Sequence, residues 1–109
     1  MADMVNHPEH YNQNGVETID IIYAYLTPKY VEPFASFCMG NIIKYLDRYK
    51  FKNGQQDLKK AQWYAIKLID IYMDDINPYD NFIVDLYNGD FTNAIKHWEE
   101  YRNELSKDL

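Results

Sequence analysis

Cysteine is nearly absent. A single one, Cys38, occurs in 109 residues, so no internal disulfide or zinc quartet is available and the fold must stand on packing in a reducing compartment. Long apolar runs are missing too. Nothing approaches the ~20 consecutive apolar residues that cross a bilayer, and Met1 to Tyr11 has neither the basic n-region nor the apolar h-region of a secretory signal. The expectation is a soluble protein of the cytoplasm. Glycine and proline are sparse, at four each, and there are no repeats or low-complexity tracts. None of Gly15, Gly40, Gly54 and Gly89 fits GxxxxGK[ST] or GxGxxG, which excludes a P-loop and a dinucleotide fingerprint. Ser36 and Ser106 lack a recognisable His and Asp context for nucleophilic catalysis. Asp70, Asp74 and Asp75 stand without the paired ExxE segments that helical pyrophosphohydrolases use to hold magnesium.

What is present is apolar and aromatic: 47% of the chain is hydrophobic and 17% aromatic, with eleven tyrosines. A chain of this length buries roughly two-thirds of its unfolded surface, enough for one core, so residues 1–109 are read as one domain. The periodicity is helical throughout. Glu17 to Leu26, with Ile19, Ile22, Tyr23 and Leu26 at helical spacing, predicts a short first helix stopped by Thr27-Pro28. Pro33 opens a second, in which Phe34, Cys38, Ile42, Tyr45, Leu46 and Tyr49 recur on one side. After the Asn53-Gly54 turn, Leu58, Ala61, Ala65, Leu68, Ile69, Tyr72 and Ile76 line a third that Asn77-Pro78 terminates. Tyr79 to Tyr87 gives a brief fourth, closed by Asn88-Gly89. Phe91, Ile95, Trp98, Arg102 and Leu105 mark a fifth, with Asp90 or Thr92 near its cap. The predicted architecture is an all-α bundle of about five helices around a central antiparallel hairpin. Tyrosine's amphipathic ring suits half-buried surfaces and subunit contacts, and Trp63 and Tyr64 fall beside the third helix's core stripe, so a homo-oligomer is expected.

The net charge of −6 conceals an uneven distribution. Residues 1–40 hold one lysine against five acids, residues 41–62 six bases against two acids, and residues 63–109 four bases against ten acids. The middle is a cationic island. An acidic chain is repelled by duplex DNA and anionic membranes at long range. A small anion is not, because screening over ~8 Å at physiological salt confines the repulsion of distant acids.

At 100° per residue, Asn41, Lys44 and Arg48 fall within about 60° of one another on the second helix, and Lys52 extends the stripe. Converging N–H donors with positive charge are what a phosphate group needs. The plainer reading is a solvated lysine stripe, with Asn41 satisfying a nearby carbonyl. Gly40 precedes the stripe at a helix-interior position, where glycine costs about 0.5–1 kcal/mol relative to alanine; close helix packing or the approach of a ligand would each justify it. Lys60 and Lys67 share a face of the third helix with Trp63 beside them. Asp57 sits in its first turn, either as a charge favoured by the helix dipole or as a group to hold magnesium or orient a hydroxyl. The stretch Asn6-His7-Pro8-Glu9-His10-Tyr11 is a second concentration of polar chemistry. Two histidines are too few for a metal site. Pro8 stiffens a loop that would present His7 and Tyr11 to a ligand, or the segment is a packing element.

These residues also carry a resemblance. Val5-Asn6-His7-Pro8-Glu9-His10-Tyr11, then Gly15-x-Glu17-x-Ile19-Asp20, Gly40-Asn41-x-x-Lys44-Tyr45-x-x-Arg48 and Asp57-Leu58-Lys59-Lys60-Ala61-x-x-Tyr64 resemble the phage-encoded SaV-like family of small proteins. That family includes a nucleotide kinase without a P-loop. The match covers about residues 5–70, leaving an acidic helical extension at 79–109. The resemblance implies phosphoryl transfer onto a deoxynucleoside monophosphate by an oligomer, with magnesium accompanying the nucleotide. Lys44, Arg48 and Asp57 are then the expected catalytic residues, and Asn6, His7, His10, Tyr11, Gly40, Asn41, Lys52, Lys60, Trp63 and Tyr64 the expected ligand contacts. The alternatives are a non-catalytic nucleotide sponge acting against a host defence signal, and an acidic interaction protein that binds a host enzyme.

Overall fold

A computed structural model describes residues 12–13, 16–29, 32–51, 53–72, 80–107 and 109. The chain forms five helices: α1 (Thr18–Leu26), α2 (Pro33–Arg48), α3 (Gln55–Ile71), α4 (Asn81–Tyr87) and α5 (Phe91–Ser106). They are preceded by a minimal antiparallel ladder of β1 (Asn12–Gln13) and β2 (Val16–Glu17), in which Asn12 faces Glu17. This is the expected all-α bundle.

Local chemistry sets the helix ends. At α2, Pro33 occupies the first turn and the Glu32 carboxylate accepts from the backbone N–H groups of Phe34 and Ala35, at 3.1 and 3.3 Å, satisfying two donors that lack intrahelical partners. Gly54, at φ 45°, makes the turn into α3, a backbone region that a side chain disfavours. Asp90 caps α5 by accepting from Asn93 N–H at 3.2 Å. Helix α3 ends earlier than its periodicity predicts: Ile71 is its last residue and Tyr72 closes it. Ile76, Asn77 and Pro78 lie outside the described residues.

The α2–α3 hairpin is the most extensive helix pair, and α4–α5 packs across it. Its seam joins Cys38, Ile42 and Leu46 to Leu58, Ala61, Ala65 and Leu68. The two alanines on α3 let the backbones approach closely, and α4 and α5 seal the end with Phe82, Ile83, Leu86, Ala94 and Trp98. Burial pushes the Cys38 thiol's pKa up, leaving it a small apolar filler.

Helix α1 is rotated from the expected face. Its buried side is Thr18, Ile21 and Tyr25, whereas Ile19 and Tyr23 are 64% and 69% exposed. The reason is polar. Thr18 Oγ1 donates to Asp47 Oδ2 at 3.0 Å, and Asp47 is buried on α2, so that one bond fixes which side of an all-round apolar helix turns inward. The same carboxylate accepts from Trp98 Nε1 at 3.0 Å and Arg102 Nε at 2.9 Å, both on α5, and Arg102 reaches on to the Val16 carbonyl. Asp47 thus ties α1, α2 and α5 at one buried point. No described helix is long and apolar enough to cross a membrane.

Candidate functional site

The basic residues of the hairpin converge on one ring. Tyr45, half-buried on α2, has Lys44 Nζ 5.4 Å, Arg48 Cζ 4.9 Å and Lys60 Nζ 5.6 Å from its centroid. A tyrosine face attracts cations through its quadrupole and so offsets part of the repulsion among three like charges. The register makes this possible: Lys44 and Arg48 are four residues apart on α2, and Lys60 comes across from α3 just beyond the Asn53-Gly54 turn. Tyr64 stacks on Tyr45 at 6.1 Å and 21° between planes, and Trp63 meets Tyr64 edge-on at 5.0 Å. Phe37 adds a further edge to Tyr64 at 5.9 Å. Trp63 is itself 54% exposed, with Lys67 Nζ 5.3 Å from its ring.

The three cations differ in what holds them. Arg48 and Asp57 form a buried two-pronged pair, Nε to Oδ2 and Nη2 to Oδ1, each 3.2 Å, and Asn53 N–H adds a 3.4 Å bond to Oδ2. Asp57 is fully buried and Arg48 nearly so. The pair joins α2 to the start of α3, a geometry only a guanidinium supplies. Asp57's oxygens are therefore engaged by protein donors and do not fit a magnesium site. Among the described residues no cluster of three or more His, Cys, Asp or Glu could hold a metal ion. Lys44 and Lys60, by contrast, have no carboxylate partner among the described residues.

Beside this cluster lies a groove of about 550 Å³ between α1 and α2. Ile19, Ile22 and Leu26 line it from α1 and Phe37, Gly40, Asn41 and Lys44 from α2, while Glu17, Thr18 and Ser36 contribute a carboxylate and two hydroxyls to the same lining. Gly40 forms part of the groove floor without being required by packing: a Cβ there would meet only Ile22 Cγ2, at 3.9 Å, an ordinary contact. The close helix packing considered for this glycine is therefore not its explanation. Asn41 Nδ2 donates to the Phe37 carbonyl at 2.9 Å, which fixes the amide on the groove wall.

The structure thus joins Lys44, Arg48, Lys60, Tyr64 and Trp63 through Tyr45, with Asp57 paired to Arg48, and places Gly40 and Asn41 on the adjoining groove that Lys44 also lines. Asn6, His7, His10, Tyr11 and Lys52 lie outside the described residues. Two contributors escaped the sequence reading. Tyr45 stands in the apolar stripe and in the family-like motif without being expected at the site, although a tyrosine flanked by Lys44 and Arg48, one and three residues away, is a usable signal. Phe37 carried no signal, because its role depends on α3 crossing beside it.

A second cleft lies between α4 and α5, with Asp80, Glu100 and Glu104 among its lining residues. At its edge His97 Nδ1 is hydrogen-bonded to Asp85, and Tyr25 donates from below to Asp80. Burial, reinforced by the Asp80 carboxylate, pushes the Tyr25 phenol far above its ordinary pKa, so it stays a donor.

Comparison with known proteins adds family to geometry. The chain is similar to the Gene 1.7 protein of Enterobacteria phage T3, with 42% identity over 65 residues, which is 55% of this chain and 38% of that relative. It therefore spans well under half the relative's length. No solved structure matches it. The family model described as a protein of unknown function, DUF3310, matches residues 5–66 and so takes in α1, α2 and the greater part of α3, and the chain belongs to that family.

Proposed function

We propose that the α2–α3 hairpin binds the phosphate of a nucleotide, and that the protein is a P-loop-independent deoxynucleoside monophosphate kinase of the SaV-like kind. One observation carries this: Lys44 and Lys60, without carboxylate partners among the described residues, meet around Tyr45 beside a groove large enough for a small molecule. In an acidic protein, two such ammonium groups on a stacked aromatic base form an anion site. Phosphoryl transfer asks mainly for positioning and for neutralisation of charge on the transferring oxygens, which lysines provide without a glycine-rich loop. Arg48, held by Asp57, acts as a positioning residue: it braces the hairpin and packs on the Tyr45 ring that both lysines approach. Magnesium enters as the nucleotide's own counter-ion.

The engagement of Arg48 by Asp57 also favours a second reading. With both groups spent on each other, the cluster offers binding charge but no evident base, as suits a protein that sequesters a nucleotide without turning it over. Incubation with each deoxynucleoside monophosphate, ATP and magnesium separates the two. Diphosphate product supports the kinase; tight binding without product supports the sponge. If the parent protein binds no nucleotide by calorimetry, or if Lys44→Ala and Lys60→Ala bind as the parent does, the phosphate site is refuted. A host enzyme as partner would then be the remaining assignment.

A further inference from the structure

Resting on the phosphate reading above, we infer that the groove between α1 and α2 is the seat of the nucleotide's base, and that Gly40 keeps its floor open for a flat ring. Three features of the groove point to that occupant. Its lining is mainly apolar, with Ile19, Ile22, Leu26 and Phe37 offering surface to a ring's faces, and its polar members Glu17, Thr18 and Ser36 add hydrogen-bonding groups at the same groove. Lys44 lines this groove and also belongs to the cluster at Tyr45, so a molecule whose ring fills the groove delivers an attached anion to the lysines. Between these ends sits Asn41. Its nitrogen is committed to the Phe37 carbonyl, and its Oδ1 has no protein partner among the described residues, which sets an acceptor on the wall for a ring N–H.

Gly40 is the most informative residue. It occupies the interior of α2, where every residue but proline forms helix more readily, and a Cβ fits without a clash. The fold would accept alanine there. A glycine that the fold does not need, at the floor of a groove, leaves room for a ligand against the helix backbone.

Calorimetry on the full chain tests this with three probes: a deoxynucleoside monophosphate, deoxyribose 5-phosphate, which keeps the anion but lacks the base, and the nucleoside, which keeps the base but lacks the anion. For the parent, the nucleotide binds at least tenfold more tightly than the sugar phosphate. Gly40→Leu, which fills the groove, removes that advantage while sugar-phosphate binding stays within about twofold. Gly40→Ala raises the melting temperature yet weakens the nucleotide several-fold, and it keeps the test decisive if the leucine variant does not fold. Lys44→Ala weakens nucleotide and sugar phosphate together. If Gly40→Ala, and Gly40→Leu where it folds, leave the nucleotide advantage intact while Lys44→Ala weakens both phosphates, the base lies elsewhere and only this inference falls. If the parent binds neither phosphate compound, the phosphate reading falls and takes this one with it.

Discussion

Arg48 and the lysines beside it carry the same charge to different ends: Arg48 is spent in a buried pair with Asp57, and Lys44 and Lys60 are not. The pair is desolvated, so removing one member leaves a charge stranded without its partner. Arg48→Ala is expected to cost about 3–5 kcal/mol of unfolding free energy in a urea titration, and Arg48→Lys recovers only part because an ammonium cannot engage both carboxylate oxygens. Lys44→Ala and Lys60→Ala break no ion pair with a described residue, so their unfolding curves should fall within about 0.5 kcal/mol of the parent's while nucleotide affinity drops. Loss of affinity in step with loss of stability would instead make the lysines structural. A second expectation concerns Tyr25. Its pKa is raised, mainly by burial, so the folding stability linked to its neutral hydroxyl is fully present below about pH 10, the unfolded value, and is lost as pH rises beyond it. An ultraviolet titration should find Tyr25 un-ionised until the chain unfolds, and Tyr25→Phe should remove that tyrosine from the late phase.

Helices were legible in the sequence wherever apolar and polar residues alternated around the axis, and illegible where they did not. On α3 the buried Leu58, Ala61, Ala65 and Leu68 all lie on the expected stripe, and on α2 Cys38, Ile42 and Leu46 do, whereas Phe34 is exposed and Ala35, Met39 and Ile43 are buried beside the stripe. Helix α1 is apolar nearly all round, so periodicity could not orient it; Thr18, a polar residue bonded to a carboxylate 29 positions away, decides the matter. The candidate site was legible as a stripe of charge on α2. What each charge does was not, because the Arg48–Asp57 pairing and the Gly40 clearance are facts about neighbouring helices. The Asp47 knot shows the same dependence, since α5 lies beyond the family-matched residues 5–66 yet supplies Trp98 and Arg102 to it. Arg102→Leu should therefore destabilise the whole fold and not merely fray the C-terminus. Fluorescence of buried Trp98 and far-ultraviolet dichroism should then shift together to lower denaturant. Separate transitions would make α5 an independent appendage. At the start of α5, hydrogen bonds from Asn93 lower the Asp90 pKa. The stability they contribute is present above the unfolded carboxyl value, about 3.9, and is lost as pH falls through the lower folded one. Asp90→Asn keeps an acceptor at the cap but does not titrate, so its acid unfolding should lack this contribution.

At the scale of the whole molecule, two electrostatic effects oppose each other, and salt decides between them. The chain's net charge of −6 repels a nucleotide, whereas the lysines at Tyr45 attract it. The molecule is 48 Å along its longest axis, several times the ~10 Å screening length at 0.1 M salt, so acids far from the lysines are largely screened while charges in direct contact with the phosphate are not. At roughly 0.01 M salt the screening length grows to ~30 Å and the distant acids are felt again. Nucleotide affinity should consequently fall as salt rises from about 0.1 to 1 M, where the screening length shrinks to ~3 Å and the contact pairs themselves weaken. Below ~0.1 M it should gain less than the lysine contacts alone would give, because the acids begin to oppose them. The doubly substituted Lys44→Ala, Lys60→Ala chain should lose the high-salt dependence and keep the low-salt repulsion. Titrations of parent and double variant across this range separate the two effects. If parent affinity rises steadily with salt above ~0.1 M, repulsion from the acidic third governs the encounter, and the anion is not held at the lysines.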